Sequence, residues 1–383
     1  MLLRSITLKN LLSFKDATLE LRPLNVLIGA NGSGKSNLID AIGLLQGAPR
    51  NLASAMQRGD GVQGWLRKTD PPPEFAGIEC EIEDDSPNAS LDYTLHFKEW
   101  NYALSIQLES LARRSGSERT SVFSRSGRGY TVGNATESRE AHPIEPTESM
   151  LVHRRVFTLA EIGHPNNVPL RFTAIRIYRE FSTAPNSRIR RGSTTDAMND
   201  FLSEDGTNLA MVLSQLNLET GLGDINRRLQ RFYELAQEVV PAVHGGVAQI
   251  YVREQGVASP VPATRLSDGT LKFLCLLTIL LHPKPPELIC IEEPEIGLHP
   301  DAIQILGEVL VEASERTQLI VTTHSEALVD ALSSAPESVV ICERDQENST
   351  CFRRLSKETL DAWLDDYTLG DLWKKGELGG KRW

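Results

Sequence analysis

The chain has 383 residues, of which 40% are hydrophobic and 24% are charged, and its formal net charge at pH 7 is −11. These values are typical of a soluble globular protein with a sizeable core, built as one large domain or as two or three smaller ones. The negative charge argues against a protein that coats nucleic acid with its whole surface, although local basic stretches remain.

The N-terminus and the cysteines indicate a cytoplasmic protein. MLLRSITLKN alternates like a strand and has no long apolar segment, so we expect no secretory signal. The longest apolar stretch, residues 271–281, is too short to span a bilayer and contains Lys272, which favours a core helix and no membrane partner. The five cysteines show no CxxC pair or metal-ligand spacing, which predicts buried free thiols in a reducing compartment.

The first part of the chain reads as strands. Residues 5–10 and 16–21 alternate apolar and polar side chains, and LNVLI (24–28) is a continuous apolar run typical of a buried strand. A glycine-rich turn and a helical pattern follow it. Residues 75–110 alternate again, which predicts an antiparallel sheet, and residues 112–149 predict a short hairpin followed by a loop.

The second part changes character. Residues 195–241 show helical spacing without sustained heptads, so no long coiled coil is expected. After residue 264, helical patterns alternate with the strands ELICI and QLIVTT, which predicts βαβ units on a parallel sheet. VVICERD and TCFRRL predict a final hairpin. The fold class is therefore α/β.

One stretch carries a phosphate-binding pattern. Residues 29–36, GANGSGKS, fit G-x-x-x-x-G-K-[ST] between a predicted strand and a predicted helix. The glycines let backbone N–H groups and the helix N-terminus point at an anion. Lys35 is expected to reach the β and γ phosphates and the Ser36 hydroxyl to bind Mg²⁺. The nucleotide-binding residues are predicted to be Asn31, Gly32, Ser33, Gly34, Lys35, Ser36 and Asn37.

A second stretch, ICIEEPEIGLHP (289–300), ends an apolar strand in carboxylates. Such a strand is the usual partner of a phosphate loop, because Mg²⁺ needs a carboxylate facing the triphosphate. Glu292 is expected to orient the metal through a coordinated water, and Glu293 to polarise the attacking water. A solvated turn that caps the following helix accounts for Glu295 but not for two adjacent acids at the strand end.

The chain resembles the ABC-type ATPase heads of the SMC, RecF and OLD (overcoming lysogenisation defect) proteins. The stretches that carry the resemblance are LKNLLSFKDATLEL (8–21), IGANGSGKSN (28–37), RLSDGTLKF (265–273), ICIEEPEIGLHP (289–300) and VTTHSEALVD (321–330). It implies a P-loop NTPase fold with a mainly parallel core sheet, an N-terminal antiparallel β subdomain and a helical insertion. Residues 1–383 would form a single head, with an N-terminal lobe (1–140), a linker and helical insertion (141–260) and a C-terminal lobe (261–383).

The resemblance also assigns roles. Ser267, Asp268 and Gly269 correspond to the signature, which in the family contacts the γ-phosphate of ATP held by the other subunit. This implies a homodimer with two composite ATP–Mg²⁺ sites, closed by ATP and opened by hydrolysis. His324 corresponds to the switch histidine and joins Lys35 and Glu293 in the catalytic set.

Several features depart from the family or stay open. Most ABC proteins carry Asp-Glu where this chain has Glu292-Glu293, and the signature reads LSDGT rather than LSGGQ, which points away from transporter subunits. The family's coupling glutamine has three candidates here, and they are Gln46, Gln57 and Gln63.

The C-terminal part is expected to lack the nuclease domain of OLD proteins. Glu343 and Asp345 stand beside a predicted hairpin turn, and no Asp-x-Asp follows them, so we expect no TOPRIM nuclease in this chain. The tail, residues 366–383, has aromatic anchors and late basic residues, and is expected to dock on its own head or on a partner.

The leading interpretation is an ATPase (ATP and water to ADP and phosphate) that senses or clamps DNA and controls a partner effector, such as a separately encoded nuclease or toxin, in DNA repair or phage defence. An alternative is a slow-turnover, ATP-gated interaction scaffold that does not bind DNA, and a transporter subunit ranks third. Candidate DNA contacts are arginines in Ser- and Gly-containing stretches, which could equally be solubilising: Arg113, Arg114, Arg119, Arg125, Arg128, Arg188, Arg190 and Arg191.

Overall fold

A computed structural model describes residues 1–57, 61–86, 88–127, 129–133, 144–153, 167–356 and 367–380. The chain divides into two compact units. Unit 1 comprises Met1–Ile175, Val340–Arg354 and Gly379–Trp383, and unit 2 comprises Arg176–Val339 and Leu355–Leu378. Each unit is described by itself.

The strands in chain order are β1 (Leu3–Leu11), β2 (Phe14–Glu20), β3 (Leu24–Ile28), β4 (Ala76–Glu83), β5 (Ala89–Trp100), β6 (Ala103–Ser115), β7 (Glu118–Ser126), β8 (Gly129–Val132), β9 (Arg176–Tyr178), β10 (Ser193–Thr194), β11 (Ala236–His244), β12 (Val247–Glu254), β13 (Val261–Pro262), β14 (Leu288–Glu292), β15 (Gln318–Thr322), β16 (Val339–Arg344) and β17 (Thr350–Arg354).

The helices are α1 (Lys35–Gly47), α2 (Leu52–Ala55), α3 (Val62–Trp65), α4 (Val168–Ala174), α5 (Arg188–Arg191), α6 (Leu209–Glu219), α7 (Gly223–Phe232), α8 (Asp268–Leu280), α9 (Pro300–Ser314), α10 (Glu326–Asp330) and α11 (Leu369–Lys375). Short 3-10 turns lie at Met150–Val152, Ala263–Arg265 and Pro336–Ser338.

Unit 1 contains an antiparallel sheet in the order β2-β1-β4-β5-β6-β7-β8. Its strands alternate as predicted, so that one face is apolar and buried; in β5, for example, Tyr93, Leu95 and Phe97 are buried while their neighbours are only half-buried. The predicted hairpin after residue 112 is confirmed as β7–β8, although β6 itself continues to Ser115.

The phosphate loop of unit 1 follows β3, whose five residues are all buried. This strand neighbours β16, which pairs in antiparallel fashion with β17, so the predicted final hairpin is confirmed. Helix α1 begins at Lys35 directly after the loop and buries Leu38, Ile42 and Leu45. The apolar strand and the apolar stripe of the helix together fix where the loop begins and ends.

Unit 2 contains three parallel strands in the order β15-β14-β9, which confirms the predicted βαβ alternation. Helix α8 is buried along nearly its whole length, so the apolar run 271–281 is a core helix, as expected. The cysteine prediction holds for Cys80, Cys275, Cys290 and Cys342, which are buried free thiols, but not for Cys351, whose free thiol is exposed.

A second sheet of unit 2 corrects the prediction for residues 195–241. Helices occupy only α6 and α7, and Ala236–His244 is the strand β11, which pairs with β12. The sequence QEVVPAV favours this outcome because its β-branched residues suit a pleated surface and Pro241 would break a helix. The insertion is therefore a helix pair combined with a small antiparallel sheet in the order β10-β12-β11.

The described part of the C-terminal tail docks within unit 2. The backbone N–H of Gly370 donates to Asp330 Oδ1 at 2.7 Å, and that of Leu369 donates to Ser333 Oγ at 3.2 Å. Leu369, Leu372 and Trp373 are buried, so helix α11 covers α10, the helix that follows His324. The prediction that the tail docks on its own head is borne out for this helix.

Candidate active site

The phosphate loop has the backbone that its glycines permit. Gly29, Gly32 and Gly34 have φ values of 148°, 75° and 107°. A Cβ on Gly34 would stand 2.2 Å from Thr350 Oγ1, so this position has no room for a side chain. The chain can therefore turn tightly from β3 into α1 and present backbone N–H groups at the start of the helix.

Lys35 and Ser33 give the loop its polar interior. The buried Lys35 ammonium donates to Gly29 O at 2.9 Å and to Ala30 O at 3.0 Å. Ser33 Oγ is buried and has no hydrogen-bond partner within the described part of the chain. A cation and an unsatisfied hydroxyl beside the N-terminus of α1 fit a phosphate group, whose oxygens accept hydrogen bonds. Asn31, Gly32 and Ser36 are exposed at this loop.

Side chains distant in sequence brace the loop from outside. Thr350 Oγ1 donates to Ser33 O at 2.7 Å and also lies 2.7 Å from Ser13 Oγ. Arg344 donates to Gly32 O, with Nε at 2.9 Å and Nη2 at 2.7 Å. Asn37, predicted to contact nucleotide, directs its amide to Ser13 Oγ at 2.8 Å. No sequence pattern marks Thr350 or Arg344, because their roles arise from the position of the β16–β17 hairpin beside β3.

The first carboxylate of the acidic stretch, Glu292, ends β14 and is paired. Tyr178 of β9 stands opposite Ile291, so the next residue, Arg179, stands opposite Glu292. Arg179 Nη1 lies 2.5 Å from Glu292 Oε1. The predicted metal-facing carboxylate thus already has a cationic neighbour in this structure, which the sequence analysis missed.

Glu293 and His324 lie close together. The Glu293 carboxylate Oε1 is 3.6 Å from His324 Nε2, and the Glu293 backbone N–H donates to Thr322 O at 2.9 Å. Glu293 has a φ of 44°, a left-handed conformation that is uncommon for a residue other than glycine and is concentrated at functional sites. Two of the three predicted catalytic residues are therefore brought together in unit 2.

Glu295 has a structural role that differs from a solvated cap. Its Oε1 accepts hydrogen bonds from Thr323 Oγ1 at 2.8 Å and from the backbone N–H of His324 at 2.9 Å. Its Oε2 is shielded and has no hydrogen-bond partner among the described residues. Burial raises the pKa of the Glu295 carboxyl, and its hydrogen bonds oppose that rise. Glu295 anchors the turn that carries His324.

The signature segment forms the start of α8. Ser267 is the N-cap, and its Oγ accepts a hydrogen bond from the Thr270 N–H at 3.0 Å. Gly269 approaches the turn after β14 so closely that a Cβ there would stand 2.8 Å from Gly297 O. Asp268 pairs with Arg190 at 2.6 Å. The helix N-terminus and its N–H groups remain a suitable place for an anion.

A cavity of about 270 Å³ lies in unit 2 beside these groups. Both predicted carboxylates contribute to its wall, and so do the cations Arg179 and Lys272. Lys272 Nζ lies 3.4 Å from Ile296 O. The cavity therefore combines negative and positive side chains next to the residues expected to act on a triphosphate.

Two of the arginines suggested as DNA contacts are not available for that role. Arg125 is completely buried, and its guanidinium donates to the carbonyls of Gly127, Glu145 and Glu148. Arg190 is 91% buried at its side chain and donates to carbonyls near the signature. Both predictions are wrong, because buried donors that are already paired cannot neutralise a DNA phosphate.

The other suggested arginines are distributed differently. Arg113 pairs with Asp84 at 2.7 Å, and Arg114 and Arg119 approach Asp92 at 2.7 and 3.7 Å. The side chains of Arg114, Arg119, Arg188 and Arg191 are exposed, and Arg128 lies outside the described residues. Of the candidate glutamines, Gln46 donates to Ile175 O at 2.8 Å, whereas Gln57 and Gln63 are exposed.

Comparison with known proteins agrees with this geometry. The family model described as "AAA domain, putative AbiEii toxin, Type IV TA system" matches residues 24–330. No curated protein matches the chain in sequence. Within the part that the structure describes, no helix has the length and apolar character needed to cross a membrane.

Solved structures of SMC heads are similar in fold. The SmcHead bound to the C-winged helix domain of ScpA aligns with a TM-score of 0.55 and 15% identity, covering 94% of this chain and 99% of that one. An Smc head with an extended coiled coil, bound to the C-terminal domain of ScpA derived from Pyrococcus furiosus, aligns with a TM-score of 0.52 and 14% identity, covering 95% and 98%. The predicted P-loop NTPase fold is confirmed. The chain belongs to the AbiEii-type AAA family, and its fold is similar to that of SMC heads.

Proposed function

We propose that the protein binds and hydrolyses ATP, dimerises head-to-head on ATP and uses its nucleotide state to control DNA binding or a partner effector. The main support for hydrolysis is the contact between Glu293 and His324. Glu293 Oε1 lies 3.6 Å from His324 Nε2, and Glu295 accepts a hydrogen bond from the backbone of His324. A carboxylate beside an imidazole can polarise and orient a water molecule for attack on a phosphate.

Each residue has a role that suits its chemistry. Lys35, the backbone of residues 31–36 and Asn37 bind the phosphates. Ser36 and Glu292 offer the oxygen ligands that Mg²⁺ prefers, and the ion would supply charge neutralisation at the β and γ phosphates. Glu293 polarises the water and His324 senses the γ-phosphate, with both held by their contacts in unit 2.

The signature supports the dimeric part of the proposal. Ser267, Asp268 and Gly269 begin the thirteen-residue helix α8, and Asp268 and Gly269 are accessible at its N-terminus. A helix N-terminus stabilises negative charge, so this segment suits the γ-phosphate of ATP held by a second copy. We expect two such composite sites in the dimer.

The partner remains the most general element of the proposal. The family description refers to a toxin and a Type IV toxin–antitoxin system, which supports control of an effector, and the two SMC heads are each bound to a part of ScpA. DNA contact would use the exposed arginines Arg114, Arg119, Arg188 and Arg191. DNA repair and phage defence are the settings that such a head suits, in the cytoplasm.

A slow-turnover scaffold is the second candidate, and one contact favours it. Arg179 lies 2.5 Å from the Glu292 oxygen that is expected to face the metal. A resident cation at this position opposes metal binding, which would slow turnover and prolong an ATP-bound dimer.

The central experiment compares wild type with Glu293→Gln and Lys35→Ala, using Glu234→Gln as a control because Glu234 is exposed and undergoes the same chemical change. Phosphate release, nucleotide binding and molar mass by light scattering are measured with and without DNA. We expect Lys35→Ala to lose ATP binding and Glu293→Gln to keep it, lose hydrolysis and accumulate dimer. Equal ATP binding and equal phosphate release by wild type and Lys35→Ala would overturn the proposal.

The same data separate the two candidates. Turnover that DNA stimulates and that Glu293→Gln abolishes supports the DNA-coupled ATPase. Negligible turnover of the wild type with tight ATP-dependent dimers, insensitive to DNA, supports the scaffold.

A further inference from the structure

Arg190 donates several hydrogen bonds to the signature segment, residues 263–268. Its Nε donates to Thr183 O at 2.6 Å, and its Nη1 donates to Ala263 O at 3.0 Å and to Leu266 O at 2.7 Å. Its Nη2 donates to Asp268 Oδ1 at 2.6 Å. One guanidinium therefore ties together the end of the preceding loop, the residue before the N-cap Ser267 and the first residue of α8.

The segment that Arg190 holds has little regular structure of its own. Ala263–Arg265 forms a single 3-10 turn, and Leu266 and Ser267 are extended, with ψ values of 154° and 157°. A planar guanidinium with fixed donor directions is well suited to hold such carbonyls in one arrangement. The orientation of Ser267 thus depends on a side chain 77 residues earlier in the chain.

Asp268 creates an electrostatic difficulty that Arg190 addresses. A carboxylate at the N-terminus of α8 is favourable for the helix, but it opposes the approach of a second anion to the same N–H groups. The Asp268 carboxylate is instead engaged by the Arg190 guanidinium and by the Thr183 hydroxyl, and the hydrogen bond from Arg190 is the main cause that lowers its pKa. The Arg190 guanidinium therefore compensates the negative charge of the Asp268 carboxylate.

We propose that Arg190 is a positioning residue that neutralises Asp268 and fixes the signature segment so that the Ser267–Gly269 backbone can receive the γ-phosphate of ATP held by a second copy of the chain. This rests on the proposed function, in which the signature contacts that phosphate. It assigns to Arg190 of the stretch SRIRRGS (187–193) a task inside the head rather than on DNA, and it makes Arg190 and Asp268 a charge-compensating pair.

The pair can be tested by rescue. The variants are Arg190→Gln, Asp268→Asn and the double variant, with Arg191→Gln as the matched control because Arg191 belongs to the same basic run but is exposed. Two quantities are measured with Mg²⁺ and a non-hydrolysable ATP analogue: binding of the analogue to the monomer, and the dissociation constant of the dimer.

We expect Arg190→Gln to weaken the dimer by on the order of tenfold, as for a lost charge-assisted hydrogen bond, while monomer binding of the analogue stays unchanged. In the Arg190→Gln background, Asp268→Asn should restore most of the loss, because the uncompensated carboxylate is removed. Arg191→Gln should remain within about twofold of wild type. Asp268→Asn alone gives the dimer dissociation constant against which the rescue in the double variant is judged.

Other outcomes would overturn the inference. If Arg190 only maintained the fold, the dimer of the double variant would be as weak as that of Arg190→Gln. If Arg190 had no role, the dimer dissociation constant of Arg190→Gln would equal that of wild type. Should Arg190→Gln fail to fold, Arg190→Lys keeps a charge beside Asp268 but loses the forked donors that hold the carbonyls of Ala263 and Leu266. Its dimer should be weaker than that of wild type and should not be rescued by Asp268→Asn, and an unchanged dimer would overturn the inference. A wild type that binds the analogue but stays monomeric would instead reject the proposed dimerisation on which the inference depends.

Discussion

The carboxylate of Glu295 holds the backbone of His324 through a hydrogen bond of 2.9 Å. This contact links the turn after β14 to the end of β15, and the Glu293 carboxylate lies on the same turn. The position of the imidazole relative to Glu293 therefore depends on a third acid, which is not among the proposed catalytic residues.

Removing this anchor should slow hydrolysis. We expect Glu295→Ala to lower kcat by on the order of tenfold or more, since small misplacements of reacting groups are costly, with nucleotide binding nearly unchanged. Glu295→Gln should retain much of the activity because its amide oxygen can accept the same two hydrogen bonds. Equal kcat for wild type and Glu295→Ala would contradict the anchoring role. Steady-state phosphate release and nucleotide titration provide the measurement.

Glu295 should also affect the pH dependence of stability. Burial raises its pKa in the folded state above the usual value of 4.5, so the folded protein retains a proton over a range in which the unfolded chain has lost it. Its contribution to the free energy of unfolding therefore falls as pH rises through that range. Relative to wild type, Glu295→Gln should become more stable between pH 4 and pH 7. Urea denaturation across this range measures the difference, and a constant difference would reject the assignment.

Gly34→Ala should harm both stability and ATP binding. A left-handed φ costs an alanine roughly 1–2 kcal/mol, and here the new methyl would also overlap Thr350 Oγ1. Gly32→Ala is the matched control, because Gly32 has a φ of 75° but no atom within 4 Å of the added Cβ. Thermal or urea unfolding should show a clearly larger loss for Gly34→Ala. Equal losses would mean that the close approach to Thr350 is unimportant.

Arg179→Gln should ease the use of Mg²⁺. Removing the cation that lies 2.5 Å from Glu292 Oε1 frees this oxygen, so the Mg²⁺ concentration for half-maximal ATP hydrolysis should fall several-fold. Manganese binding in the presence of ADP, followed by electron paramagnetic resonance, gives a readout independent of turnover. Arg188→Gln, which alters an exposed arginine in the same unit, should leave both values unchanged. Weaker manganese binding by Arg179→Gln would show that the arginine supports the site instead.

Arg125 should matter for folding and not for DNA. It is completely buried in unit 1, near the buried Glu109, and replacing it by methionine would leave that carboxylate without its charged neighbour. Breaking such a buried arrangement typically costs about 3–5 kcal/mol. A double variant at the exposed Arg114 and Arg119 should cost little stability. Urea unfolding measures the free energy of unfolding of both variants. An Arg125→Met variant as stable as wild type would contradict the prediction.

The parts of the fold that sequence analysis predicts best are those coded locally. The apolar run of β3 followed by GANGSGKS determines strand, turn and helix within a few residues of one another, and the alternation in β4 to β6 directly reports which face is buried. The secondary structure of residues 236–244 was harder to predict, because the spacing of their apolar residues suits a helix whereas their β-branched side chains favour a strand. The segment is a strand because it pairs with β12.

Long-range contacts explain what the sequence could not reveal. Arg190 stands in a basic run that looks like a nucleic-acid contact, and only the fold shows that its partners lie at residues 263–268. Likewise, Glu295 follows the two acids proposed to act on ATP, but its structural role comes from its hydrogen bonds to Thr323 and His324 in the loop after β15. Charge and composition indicate that such side chains are polar, whereas burial and hydrogen-bond partners decide what they do.

The close approach of Gly269 to Gly297 has a mechanical consequence. With only 2.8 Å between a hypothetical Cβ and the opposing carbonyl, α8 and the turn after β14 touch backbone to backbone and have no side chain between them to absorb a displacement. A push that tilts α8 must therefore shift Gly297 and, four residues earlier, Glu293. The segment proposed to contact a second subunit is in this way coupled through the backbone to Glu293, the carboxylate proposed to activate water.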